Sequence, residues 1–136
     1  MKIIQLPKIL DQRGNLSFLE GNKHIPFEIK RIFYVHSVPA GVVRGGHAHK
    51  FLDQLLICPY GSIEIVLDDG LNEKEKVILN KPTFGLHIPG GVWKDMIWNV
   101  KNSILCVAAS DYYNADDYIR DYETFKKMAV SGYWSK

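Results

Sequence analysis

Short apolar runs recur along the chain, and turn residues separate them. Lys2 to Leu6 reads as a first strand that ends at Pro7, Asp11 to Asn15 as a turn, and Leu16 to Glu20 as a second strand. Glu28 to Val38 is the longest strand candidate. With a period of two, Ile32, Tyr34 and His36 share one face and Arg31, Phe33 and Val35 the other. Gln54 to Cys58 and Ser62 to Leu67 follow, and Ile63, Ile65 and Leu67 of the latter lie together. Asp68-Asp69-Gly70 is a hairpin signal. Val77 to Leu79, Phe84 to Ile88, Met96 to Val100 and Ile104 to Ala109 complete the strand set, with Pro82 and Pro89-Gly90-Gly91 as punctuation. Many short strands at short spacing predict an antiparallel sandwich or barrel.

The tail changes period. Between Asn114 and Met128 the apolar positions Tyr118, Tyr122, Phe125 and Met128 fall at helical spacing. Asp116 and Asp117 suit a helix N-terminus. A short C-terminal helix capping one end of the barrel is expected. Trp93 and Trp98 are read as packing within the barrel.

At 136 residues, the chain is expected to form one domain over 1–136. Net charge is +2, which gives no argument for nucleic acid or a membrane as partner. No run is long enough to span a bilayer, and the N-terminus lacks the apolar stretch of a secretory signal. Cys58 and Cys106 lie inside apolar runs and do not make a disulfide framework, so a cytoplasmic location is expected.

The chemistry concentrates in Arg44-Gly45-Gly46-His47-Ala48-His49-Lys50. On a strand, His47 and His49 face the same way. Imidazole titrates near neutrality, so such a pair is half a metal site or a proton-transfer pair. From Gly41 the order is five residues, His47, one residue, His49, four residues, Gln54, six residues, Gly61. This resembles the first signature of the cupin superfamily of small β-barrels, which usually has glutamate where Gln54 stands. The second signature is matched by Pro89, Gly91 and Lys94, with lysine in place of a ligating histidine. Only two of the four metal-ligand positions are filled by ligands. An ammonium has no lone pair to donate and an amide is a weak ligand. No metal and no cofactor are therefore expected, and the histidines read as acid and base.

Three further segments extend the likeness: Ile65 to Gly70, Ser110-Asp111-Tyr112-Tyr113, and Asp117 to Tyr122. Together with the histidine stretch they resemble the sugar-nucleotide 3,4-ketoisomerases, over nearly the whole chain. That resemblance implies an all-β, cupin-type jelly roll. It implies a homodimer, often with exchange of N-terminal strands. The implied reaction moves the ketone of dTDP-4-keto-6-deoxyglucose from C4 to C3 through an enediol, without a metal. The segment Asp11 to Glu20 is also similar to the dTDP-sugar 3,5-epimerases, whose arginine and glutamate help to hold the nucleotide.

For such chemistry His47 is the expected principal base and His49 its partner, with Tyr34 as a hydroxyl donor. Arg44 is the leading residue for the diphosphate or a substrate oxygen, and Arg13 and Arg31 are further candidates. Lys50 and Lys94 are assigned to substrate binding as well. A 3,5-epimerase on the same scaffold and a non-catalytic sugar-nucleotide-binding cupin remain as alternatives.

Overall fold

The computed structural model describes residues 1–135. Its strands are β1 (Lys2–Gln5), β2 (Lys8–Asp11), β3 (Gly14–Ser17), β4 (Arg31–Val35), β5 (Val43–His49), β6 (Gln54–Tyr60), β7 (Ile63–Asp68), β8 (Glu75–Leu79), β9 (Phe84–Ile88), β10 (Trp93–Trp98), β11 (Ile104–Ala109) and β12 (Tyr118–Ile119). One short 3-10 turn precedes β12, and helix α1 (Tyr122–Val130) follows it.

Two five-stranded antiparallel sheets form the body, in the orders β1-β9-β6-β11-β4 and β12-β5-β10-β7-β8. They face each other as a jelly-roll sandwich that does not close into a barrel. The alternation read from the sequence explains why. Ile63, Ile65 and Leu67 of β7 point to the interior, where they meet Leu56, Leu86, Trp98 and Val107 in the main core. Alternate residues on the outer faces serve two smaller clusters. Ala48, Trp93 and Ile119 pack under Phe125 of α1. Leu55 and Ala108 lie under Leu6, Ile25 and Phe27. The helix thus covers the outer face of the second sheet.

Three expectations change. Asp11 to Asn15 is part of a hairpin, β2 with β3, whose residues are exposed on both faces, so no burial alternation marks it. Asp68 to Gly70 opens a longer connection, and β8 begins only at Glu75. The tail is not helical from Asn114. Asn114 caps only the short turn, accepting from the Asp116 N–H, and Tyr118 and Ile119 then pair with β5. The helix has its own cap in Asp121, which accepts from the Thr124 N–H at 2.9 Å and its hydroxyl at 2.7 Å.

Candidate active site

β5 carries both histidines into the interior while Ala48, between them, packs outward under α1. The strand does not run straight. His47 pairs with Lys94 of β10, yet the next pair is Gly45 with Asp95, so Gly46 is an extra residue in a β-bulge. Gly45 and Gly46 both take positive φ, +92° and +70°. The bulge has a consequence for the site. Arg44 and His47 are three positions apart and would face opposite ways on an unbroken strand. With one residue looped out, both line the same cavity of about 280 Å³.

Gln54 and Lys94 complete that cavity, together with Tyr118 and Arg120. Lys94 is 3% exposed, and its ammonium crosses between the sheets to donate to Gln54 Oε1 at 2.5 Å. A smaller cavity of about 130 Å³ adjoins, lined by His49, Arg31, Tyr112, Asn114 and Asp117. Tyr118 lines both spaces, its ring centroid 5.0 Å from that of His47 and 4.4 Å from that of His49. The Arg120 guanidinium stacks over the Tyr118 ring, 4.4 Å from its centroid. The two imidazoles meet edge to face at 5.1 Å.

Asp117 fixes the orientation of His49. Its Oδ2 is 2.9 Å from His49 Nδ1, and its Oδ1 accepts from the Phe51 N–H at 2.8 Å. A carboxylate only accepts, so Nδ1 carries the proton and Nε2 keeps its lone pair. That Nε2 is buried and has no hydrogen-bond partner among the described residues, and neither has His47 Nδ1. Burial first, then the Lys94 charge, then His49, push His47 down from 6.5 to about 3. Burial first, then the cations Lys94, Arg31 and Arg120, push His49 down from 6.5 to about 3 as well. Both rings are thus neutral at pH 7, the state a base requires.

The structure brings together His47, His49, Arg44, Arg31 and Lys94. It does not bring Tyr34 to them. β4 directs Phe33 and Val35 inward to the core. Tyr34 lies on the opposite, outward face, 66% exposed and beside His36. The phenol that borders the cavity is Tyr118. Arg13 stands at the tip of the β2–β3 hairpin, 90% exposed and paired with Asp11 at 2.9 Å, away from the histidines of its own chain. Lys50 lines a separate open groove that shares Tyr118 and Arg120 with the main cavity.

Asp117 and Arg120 escaped the sequence reading because Asp116 and Asp117 read as a helix N-terminus. The missed signal is Asp121 with Thr124, a second capping pattern that moves the helix start past both. As a donor set, two imidazoles beside an ammonium and an amide suit a divalent cation poorly. Among the described residues no group of three His, Cys, Asp or Glu side chains stands close enough to hold one.

Fold and site together define a cupin-type jelly roll with two neutral imidazoles beside a cavity lined by Arg44, Lys94 and Arg120. The chain belongs to the WxcM-like, C-terminal family (FdtA), whose model matches residues 1–130. It is 44% identical, over 93% of its length and 90% of the relative's, to a TDP-4-oxo-6-deoxy-alpha-D-glucose-3,4-oxoisomerase of Aneurinibacillus thermoaerophilus. A crystal structure of a 3,4-ketoisomerase from Helicobacter canadensis is similar at 46% identity and a TM-score of 0.91, covering 95% of this chain and 96% of that one. A mutant ketoisomerase of Thermoanaerobacterium thermosaccharolyticum, solved with TDP-4-keto-6-deoxyglucose, shares 37% identity at a TM-score of 0.93, covering 98% and 96% of the two chains.

Proposed function

We propose that the chain is a sugar-nucleotide 3,4-ketoisomerase acting on dTDP-4-keto-6-deoxyglucose. The observation that carries this reading is the pair of neutral imidazoles, His47 half-buried and His49 buried, beside cavities lined by cations, in a chain whose relatives are ketoisomerases of such sugars.

The C3 hydrogen of the substrate is acidified by the neighbouring C4 carbonyl. His47 takes that proton as the C3–H bond breaks, its electrons form a C3–C4 double bond, and the carbonyl pair moves onto the C4 oxygen. The C3 hydroxyl then loses its proton to His49, which passes one to the C4 oxygen. The C3 carbonyl forms as C4 takes the proton held by His47. Each proton removed is returned, so no net acid, base or redox agent is consumed. Acid-base groups of this kind contribute roughly 10²–10⁴-fold each. Arg44, Arg31 and Arg120, which line the two spaces, are the cations proposed to meet the diphosphate.

The working form is proposed to be a homodimer in the cytoplasm, with the β2–β3 hairpin exchanged between copies. Ile9, Leu10 and Leu16 of that hairpin are exposed, as are Ile32 and Tyr34 of the edge strand β4. No helix among the described residues is long and apolar enough to cross a membrane.

Proton NMR of dTDP-4-keto-6-deoxyglucose incubated with the protein in deuterated water tests the reading. A 3-keto product is expected, loss of nearly all turnover in His47→Asn, and retention of TDP binding in that variant. Exchange at C3 and C5 with the ketone still at C4 would instead indicate an epimerase. An unchanged sugar in a protein that binds TDP would leave only a binding module.

A further inference from the structure

Lys94 poses a problem that packing does not answer. Its ammonium is buried between the sheets, and its hydrogen bond goes to a neutral amide. The cavity beside it also holds Arg44 and Arg120, and its lining includes no carboxylate. Burying a charge without a counter-charge is costly, and a hydrophobic residue of like volume is often more stable in its place. A cation kept under those conditions is suited to an anion that is present only part of the time. The proposed reaction creates one, since its enediolate carries negative charge on the oxygen that begins as the C4 carbonyl.

We propose that the Lys94 ammonium stabilises the enediolate oxyanion, donating a hydrogen bond to the C4 oxygen while His47, directly opposite on β5, holds the C3 proton. The inference rests on the ketoisomerase reading and adds a catalytic residue to it. Lys94 stays protonated throughout. It supplies charge and a hydrogen bond, and the proton traffic belongs to the histidines. Gln54 holds one of its three N–H donors, which leaves two for substrate. A preorganised donor aimed at a developing oxyanion acts mainly in the transition state, and removing one costs about 10²–10³-fold in kcat. Burial has also brought the Lys94 ammonium down from 10.5 to about 8. The groups that face it across the cavity are His47 and Arg44 from β5, Gln54 from β6, and Tyr118 and Arg120 at β12; His49 feels its charge, and the adjoining space holds Arg31 with the carboxylates of Asp111 and Asp117. Asp117 is engaged by His49 and the Phe51 N–H, and the lining of the cavity itself offers the Lys94 ammonium no carboxylate against that burial.

The test uses the full chain with Lys94→Gln and Lys94→Met. In both, kcat is expected to fall about 100- to 1,000-fold. Deuterium exchange at C3 should fall in step, with TDP affinity within about threefold of the parent. Lys94→Met should melt at or above the parent temperature, because an uncompensated buried charge has been removed. The parent should also lose kcat/KM on an alkaline limb near pH 8 that Lys94→Gln lacks. The assignment is overturned if either variant keeps kcat within about tenfold. It is overturned equally if TDP affinity falls as far as kcat does, which would make Lys94 a nucleotide contact. A lower melting temperature in both variants would make the residue structural. A parent protein that leaves the keto sugar unchanged would refute the ketoisomerase reading itself, whereas an active parent with active variants refutes only the role of Lys94.

Discussion

An imidazole that is to take a proton at neutral pH must first be free of one, and burial among cations secures this for His47 and His49. The same depression links the site to stability. In the unfolded chain both rings bind protons below about 6.5, whereas the folded chain resists protonation until far lower, to about 3 for His47. The unfolded state therefore binds more protons across that window. Stability is full above about pH 6.5 and declines as pH falls through the window, by at most about 1.4 kcal/mol per pH unit for each histidine. Thermal melts are expected to show a falling Tm from pH 7 to pH 5, and His47→Asn should flatten that slope. The sign for Lys94 is the same in its own, more alkaline window. Between about pH 8 and 10.5 the unfolded chain again holds more protons, so stability rises with pH there. Asp117 offers the second prediction at this scale. Asn in its place can still accept from Phe51, but it turns an N–H toward His49 Nδ1. That favours the tautomer with the proton on Nε2, which removes the unpartnered lone pair there. Asp117→Asn should lower kcat by about 10- to 100-fold, with KM changed less than about threefold; equal losses in both would mean a general loosening of the site.

At the level of elements, the bulge in β5 explains why Arg44 and His47 face the same cavity. A Cβ on Gly45 would stand 2.8 Å from the Lys94 carbonyl oxygen, at a φ of +92° that L side chains avoid. Gly45→Ala is expected to cost about 1–3 kcal/mol in stability, read as a lower Tm, and to reduce turnover because Lys94 and His47 lose their pairing. The bulge was not legible in the sequence. Paired glycines indicated close backbone approach, but alternation counts positions and cannot show a residue looped out. Strands β6, β7, β9 and β11 were legible, because each has one face in the core. The hairpin β2–β3 was half-read, since neither of its faces is buried within the chain. On β4 the sequence separated the two faces correctly but could not say which one meets the site, and the tyrosine chosen stands on the outer one. The residues after Asn114 failed for a different reason: two caps follow each other, and the first governs only one turn.

The molecule as a whole leaves two features without a role inside one chain. The first is an apolar outer patch where Ile32 and Tyr34 of β4 adjoin Cys106 of β11, itself paired with Ile57 of β6. The second is the hairpin, with Ile9, Leu10 and Leu16 exposed and Arg13 at its tip. Within the chain β1 pairs with its own β9, so any exchange between copies falls to β2 and β3. A homodimer that exchanges them would cover the apolar residues of both hairpins, as an isologous interface requires. It would also carry Arg13 away from its own site and toward the partner's, where a diphosphate needs cations. Light scattering is expected to show a dimer, and Leu10→Asp with Leu16→Asp should shift it to monomer. The sharper check is complementation between two defective chains. Arg13→Ala and His47→Asn each damage a site, but if Arg13 acts across the interface, a mixed dimer contains one site with both residues intact. Random mixing by co-refolding then restores about a quarter of the parent sites, since half the dimers are mixed and each has one good site. If Arg13 instead served its own chain, each site would keep the defect of the chain that built it. Mixing would then give only the mean of the two activities.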